Sequence, residues 1–208
     1  MKRLILFFII ASLLLFFICL FAERVDNENA EFRKKEQIRI TLLYNLKGTK
    51  RKWSQYDVYR FCDTMYTGEK QFNIDYRIVF GIISIESDFN LRSTGYNDDR
   101  LSSVDFGVCQ INSQSFSELY KRSEQILINN NIAYNKSDMY DVSLNVMSCF
   151  IHLNDYKQEL IQKKEYSIMR WIQSYNCGIN GSGDKESYKH LREKKAKYYT
   201  KFVLVSCN

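Results

Sequence analysis

Asp75-Tyr76-Arg77-Ile78-Val79-Phe80-Gly81-Ile82-Ile83-Ser84-Ile85-Glu86-Ser87-Asp88-Phe89-Asn90 is the stretch on which the reading of this chain turns. Asn73 or Asp75 can cap a helix, and Ile78, Val79, Ile82, Ile83 and Ile85 supply its apolar positions. The pattern predicts a core helix that ends near Glu86-Ser87. A carboxyl at the end of so apolar a helix is partly desolvated, which disfavours its charged form. Glu86 is therefore placed to carry a proton and donate it to a leaving oxygen. Most glutamates at helix ends are merely solvated, so the neighbouring sequence has to decide.

Downstream, residues 90–104 are rich in Asn, Asp, Ser and Arg, followed by Asp105-Phe106-Gly107-Val108-Cys109-Gln110-Ile111-Asn112. Short extended pieces are expected across 95–112. Asp105 is a second carboxylate, in a polar setting. Two carboxyls in different environments suit cleavage of a glycosidic bond: one protonates the bridging oxygen and the other stabilises or attacks the cationic sugar carbon. A turn-holding role for Asp105 is the competing reading. A third segment, Ser174-Tyr175-Asn176-Cys177-Gly178, ends another expected helix. Its Tyr175 offers a ring face and a hydroxyl, and Asn176 offers a donor and an acceptor for sugar hydroxyls. A plain helix end, with Asn176 and Gly178 as caps, is the alternative.

Taken together and in order, Glu86-Ser87-Asp88-Phe89-Asn90, Asp105 to Asn112, and Ser174 to Gly178 resemble the lytic transglycosylase domain of the soluble-lytic-transglycosylase type, within the lysozyme-like superfamily. The likeness spans about residues 58–205. It is nearest the small transglycosylases that accompany secretion, conjugation or pilus machines, and two pieces also resemble animal lysozyme. The resemblance implies a mostly α, α+β fold with a small irregular β element. It implies cleavage of peptidoglycan glycan strands between N-acetylmuramic acid and N-acetylglucosamine, without metal or cofactor. It assigns Glu86 as acid and base, Ser87 as support of the helix end, Gln110 and Asn112 to the cleft floor, and Tyr175 and Asn176 to the reacting sugar. The alternatives are a hydrolytic muramidase that uses Glu86 with Asp105, and an inactive glycan-binding scaffold. Cys109, Ser174 and Cys177 depart from the usual pattern, which bears on cleft detail.

At the N-terminus, Lys2-Arg3 precedes Leu4 to Ala22, a stretch without charge. As a helix it would be roughly 28 Å long, about the hydrocarbon thickness of a bilayer. The basic start directs the rest of the chain across the membrane. Residues 1–22 are thus expected to be an export signal or, if uncleaved, a membrane anchor. Residues 23–55, with Arg33-Lys34-Lys35 and Lys50-Arg51-Lys52, are expected to be a charged linker or a short resting helix. Residues 56–208 are expected to form the lysozyme-like transglycosylase domain, in the periplasm or cell envelope. Further helices are expected from Asp141 to about Leu160, from Ile168 to Tyr175, and from Lys185 to Val203. The 208 residues carry a net charge of +6, which favours anionic polymers, but export argues against nucleic acid. Six cysteines occur without Cys-x-x-Cys or His ligand spacing, which argues against zinc. Cys109 and Cys177, beside two of the motifs, are expected to approach one another.

Overall fold

The computed structural model describes residues 2–47, 51–97 and 103–177, and the side chains of these except residues 2–12, Leu14, Asn176 and Cys177. It contains six helices and a small sheet among those residues. Helix α1 runs Lys2–Leu46, α2 Gln55–Phe72 and α3 Tyr76–Glu86. After the strands come α4 Phe116–Asn129, α5 Val142–Gln162 and α6 Ile168–Cys177. Strands β1 Thr94–Tyr96, β2 Val104–Phe106 and β3 Ile111–Asn112 form one antiparallel sheet in that order.

Helix α5 is the axle of the molecule. Asp141 caps its start, taking the Leu144 amide on one carboxylate oxygen and the Asn135 amide and Arg60 guanidinium on the other. Its first ten residues are all buried, polar ones included. Helices α2, α4 and α6 pack around it. The crossing with α2 requires Gly68: a β-carbon there would lie 2.3 Å from the Phe150 ring. Trp171 Nε1 donates to the Leu153 carbonyl at 2.7 Å and fastens α6 to α5.

Helix α3 is capped by Asp75, whose Oδ1 accepts the Arg77 amide at 2.9 Å, and all residues from Ile78 to Ile83 are buried. Burial on every side, rather than on one stripe, makes it an interior helix. Asn73 has a different job from the one considered for it: in the left-handed conformation, φ 51°, it ends α2. Helices α2 and α4 were not anticipated from sequence, because Tyr, Arg, Ser and Lys dilute their apolar stripes.

Of the two expectations for the stretch 23–55, a charged linker or a short resting helix, the structure shows helix packed on the body. The stretch is helical through Leu46, and Ile38 and Leu42 are fully buried in the core. Lys34–Glu69 and Lys35–Asp63 ion pairs at 3.1 and 2.8 Å run from α1 to α2. Trp53 then packs edge-on against Phe61 at 5.2 Å between ring centres. The globular body therefore starts before residue 56. Farther back along α1, Phe16, Phe17, Leu20 and Phe21 are exposed. Among the described residues no helix is long and apolar enough to cross a membrane. Much of the expected segment 4–22, and the expected helix from Lys185 to Val203, lie outside the described residues or side chains.

Candidate active site

Glu86 is the last residue of α3 and is half-buried. Ser87, 8% exposed, closes the helix twice over: its amide and its hydroxyl both donate to the Ile83 carbonyl at 3.1 Å. The chain then reverses through two consecutive left-handed residues, Asp88 at φ 51° and Phe89 at φ 56°. Such backbone is uncommon for residues other than glycine and persists only where its surroundings enforce it. Here the enforcement is visible. Phe89 is 1% exposed, lies against Phe80 at 5.3 Å between ring centres, and its carbonyl accepts the Trp53 indole N–H at 2.9 Å.

From this reversal the chain steps through turns, Asn90 N–H to Ser87 O and Ser93 N–H to Asn90 O, into β1. The Ser93 carbonyl then accepts the Gly107 amide at 2.9 Å and the Gln110 side-chain amide at 3.2 Å. The segment leaving Glu86 is thus sewn to the turn Gly107 to Gln110. Gln110 is itself left-handed at φ 51°, and its Nε2 also donates to the Gly107 carbonyl at 2.8 Å. Gln110 Oε1 lies over Gly95, where a β-carbon would meet it at 2.7 Å.

This turn is gripped from two helices. Asn145 of α5, fully buried, accepts the Cys109 amide on Oδ1 and donates from Nδ2 to the Phe106 carbonyl, both at 2.8 Å. Gly107, at φ 76°, sits on the same amide group; a β-carbon there would come within 2.5 Å of Asn145 Nδ2. Tyr175 of α6 donates its hydroxyl to the Cys109 carbonyl at 2.7 Å. Burial pushes the Cys109 thiol well above its ordinary range; a hydrogen bond with Cys149 and the charge of Glu86 push the same way. The chain that leaves the end of α3, at Ser93, and α6, at Tyr175, are thus bonded to the same turn.

Asp105 lies on β2, opposite Gly95 on one side and Asn112 on the other. Both its carboxylate oxygens are engaged: Oδ2 accepts Asn97 Nδ2 at 2.9 Å and Oδ1 accepts Asn112 Nδ2 at 2.7 Å. Asn112 also donates to Ser103 Oγ at 3.1 Å and accepts the Gln114 amide at 3.0 Å. Asp105 and Asn112 are thus wired into the sheet. The Asn176 and Cys177 side chains lie outside those described, so the expected approach of Cys109 to Cys177 does too.

Three further residues shape the site. Asn145 and Trp53 hold its backbone, and His152 packs on Tyr156 and Tyr175 at 4.4 and 5.8 Å between ring centres. Burial pushes the His152 pKa down, with Asp155 opposing and Arg122 assisting. Asn145 was detectable in principle as an amide flanked by Leu144, Val146 and Met147. Among the described residues no group of three metal-ligating side chains comes together.

A family model described as the transglycosylase SLT domain matches residues 63–198. No curated protein matches the chain.

Proposed function

Because the chain belongs to the transglycosylase SLT domain family, whose members are peptidoglycan lytic transglycosylases and hence enzymes, we propose that Glu86 is the single catalytic acid and base of this one. The observation that carries the proposal is that the chain leaving Glu86, at Ser93, and Tyr175 of α6 are both bonded to the Gly107–Gln110 turn. Glu86 gives its proton to the oxygen between N-acetylmuramic acid and N-acetylglucosamine, and the glycosidic bond breaks. The resulting carboxylate takes the proton of the muramic 6-hydroxyl, whose oxygen closes on the sugar carbon to form the anhydro ring. Proton donation and return balance on one group.

Tyr175, Gln110 and the Cys109 peptide form the rigid floor, with Asn176 next in sequence on α6 to meet the sugar. Asp105 is assigned to the sheet rather than the chemistry, since both oxygens already accept amides. Family membership makes peptidoglycan the substrate and the cell envelope the place of action. Export through residues 1–22, and service to a secretion, conjugation or pilus machine, extend this reading on sequence alone.

The test is mass spectrometry of purified peptidoglycan digested by the wild-type protein and by Glu86→Gln. Anhydro-muramic ends from the wild type and none from the variant are expected. Reducing ends instead would mean hydrolysis, and full activity of the variant would remove Glu86 from the mechanism.

A further inference from the structure

The most constrained backbone at the site is the reversal after Glu86, where Asp88 and Phe89 are both left-handed. Residues other than glycine keep such backbone only where their surroundings impose it. The constraint comes from Trp53, in the connection between α1 and α2 and ahead of the matched segment 63–198. Its indole N–H donates to the Phe89 carbonyl at 2.9 Å, and it is the one donor that carbonyl receives among the described residues. Phe89 is buried, so water cannot take the place of the indole. Four rings close the circuit. Trp53 lies edge-on to Phe61 at 5.2 Å between ring centres, Phe61 edge-on to Phe80 at 5.6 Å, and Phe80 against Phe89 at 5.3 Å. The other hold on the reversal is weak. Arg51 reaches Asp88 at 3.8 Å, but Asp88 is mostly exposed, and a surface ion pair contributes little.

We propose that Trp53 is a positioning residue for glycan cleavage: by holding the Phe89 carbonyl it keeps Asp88 and Phe89 left-handed, and so fixes the direction in which the end of α3 presents Glu86. The proposal rests on the reading of Glu86 as acid and base. The link from clamp to carboxyl is short. Asn90 donates its amide to the Ser87 carbonyl, and Ser87 closes on the Ile83 carbonyl with both its amide and its hydroxyl. Reversal and helix end are therefore one bonded unit, with Glu86 inside it. Without the indole N–H, the Phe89 carbonyl is left buried and unpaired, which is the costly way to lose a hydrogen bond. The chain relieves this by turning the Phe89 peptide toward water, and Asp88 and Phe89 relax to negative φ, the region open to every residue. The last turn of α3 then reorients, and the Glu86 carboxyl leaves the line to the glycosidic oxygen. A displacement of about 1 Å at a reacting group is enough to slow a reaction about 100-fold. The Gly107–Gln110 turn is held separately, by Asn145 and Tyr175, so the loss falls on kcat rather than on KM.

The experiment compares the full chain with Trp53→Phe, which keeps an aromatic ring beside Phe61 and removes the donor. Trp53→benzothienylalanine, in which sulfur replaces the indole N–H and the ring volume is retained, takes its place if Trp53→Phe does not fold. Melting curves give the folded fraction of each. By hydrogen exchange, the Ser87 and Asn90 amides should exchange about tenfold faster or more in the variant, with the amides of α5 unchanged. On soluble glycan strands, kcat per folded molecule should fall about 10–100-fold, with KM within about twofold of wild type. Normal exchange at Ser87 and Asn90, a wild-type kcat, or a loss that only follows the unfolded fraction overturns the proposal. Glu86→Gln, run alongside, separates the two readings. Full activity there, or none in the wild type, removes the Glu86 reading whatever the exchange shows. Normal exchange in the Trp53 variant removes the clamp, while an inactive Glu86→Gln keeps Glu86 as the acid.

Discussion

Asp105 shows how a single residue changes meaning between sequence and structure. In sequence it is a second carboxylate near a first, with the chemistry of paired carboxyls open to it. In the fold its two oxygens hold Asn97 and Asn112 across the strands. Asp105→Asn places an amide N–H2 where one of those amides already points a donor. The expected outcome is a loss of about 1 kcal/mol of stability, the low end of the cost of an unsatisfied polar group because Asp105 is half-buried, with anhydro products still formed by the folded fraction. Thermal melts beside product analysis check this. A drop in turnover beyond about 100-fold in protein that remains folded would give Asp105 a direct electrostatic role.

At the scale of the element, the decisive object is the turn between β2 and β3, held by α5 through Asn145. Asn145→Ala strands the Cys109 amide and the Phe106 carbonyl together. It should cost about 2–5 kcal/mol, as two buried backbone groups lose their partner and a cavity opens. Denaturant unfolding measures this, and a loss below about 1 kcal/mol would mean that water or backbone movement replaces the amide. The α5–α6 contact carries a pH dependence. Because burial lowers the His152 pKa, folding favours the neutral ring. The unfolded chain then binds more protons than the folded one between the two values, so stability rises with pH there. The contribution is intact above the ordinary imidazole value of 6.5 and is lost as pH falls below it. Carboxylates held low by their partners, such as Asp57 and Asp75, lose their contribution only at more acidic pH. His152→Gln should therefore flatten the melting temperature between about pH 7 and pH 5 relative to wild type, an expectation that identical slopes would refute.

For the molecule as a whole, α1 is the element whose role was least expected. Its far half exposes large apolar side chains, while Ile38 and Leu42 complete the core beside α2. Ile38→Ala and Leu42→Ala should each cost about 2–5 kcal/mol, as full-sized core truncations do. Removal of residues 2–22 should leave the melting temperature of the remaining chain nearly unchanged. Removal of residues 2–46 should lower it sharply, because it removes Ile38 and Leu42 from the core and uncovers the face of α2 that carries Asp63, Tyr66 and Glu69. Equal melting temperatures for the two truncations would show that α1 is only a tether.

Local chemistry was legible in the sequence alone. Apolar spacing located α3 and α5, Asp75 and Asp141 marked their starts, and the polar run before Asp105 marked the short strands. The order of the motifs around Glu86, Gln110 and Tyr175 pointed to the lytic transglycosylase family, which the family match over residues 63–198 bears out. These features depend on neighbours a few residues apart, and helical and strand periodicity carries that information directly. What joins distant residues was decided only in three dimensions. Asn145 beneath Gly107, Trp53 on the Phe89 carbonyl, Tyr175 on the Cys109 carbonyl, and Ile38 in the core are contacts across long sequence separations. No local pattern encodes them, because each exists only once α5 has become the axle against which the other elements pack.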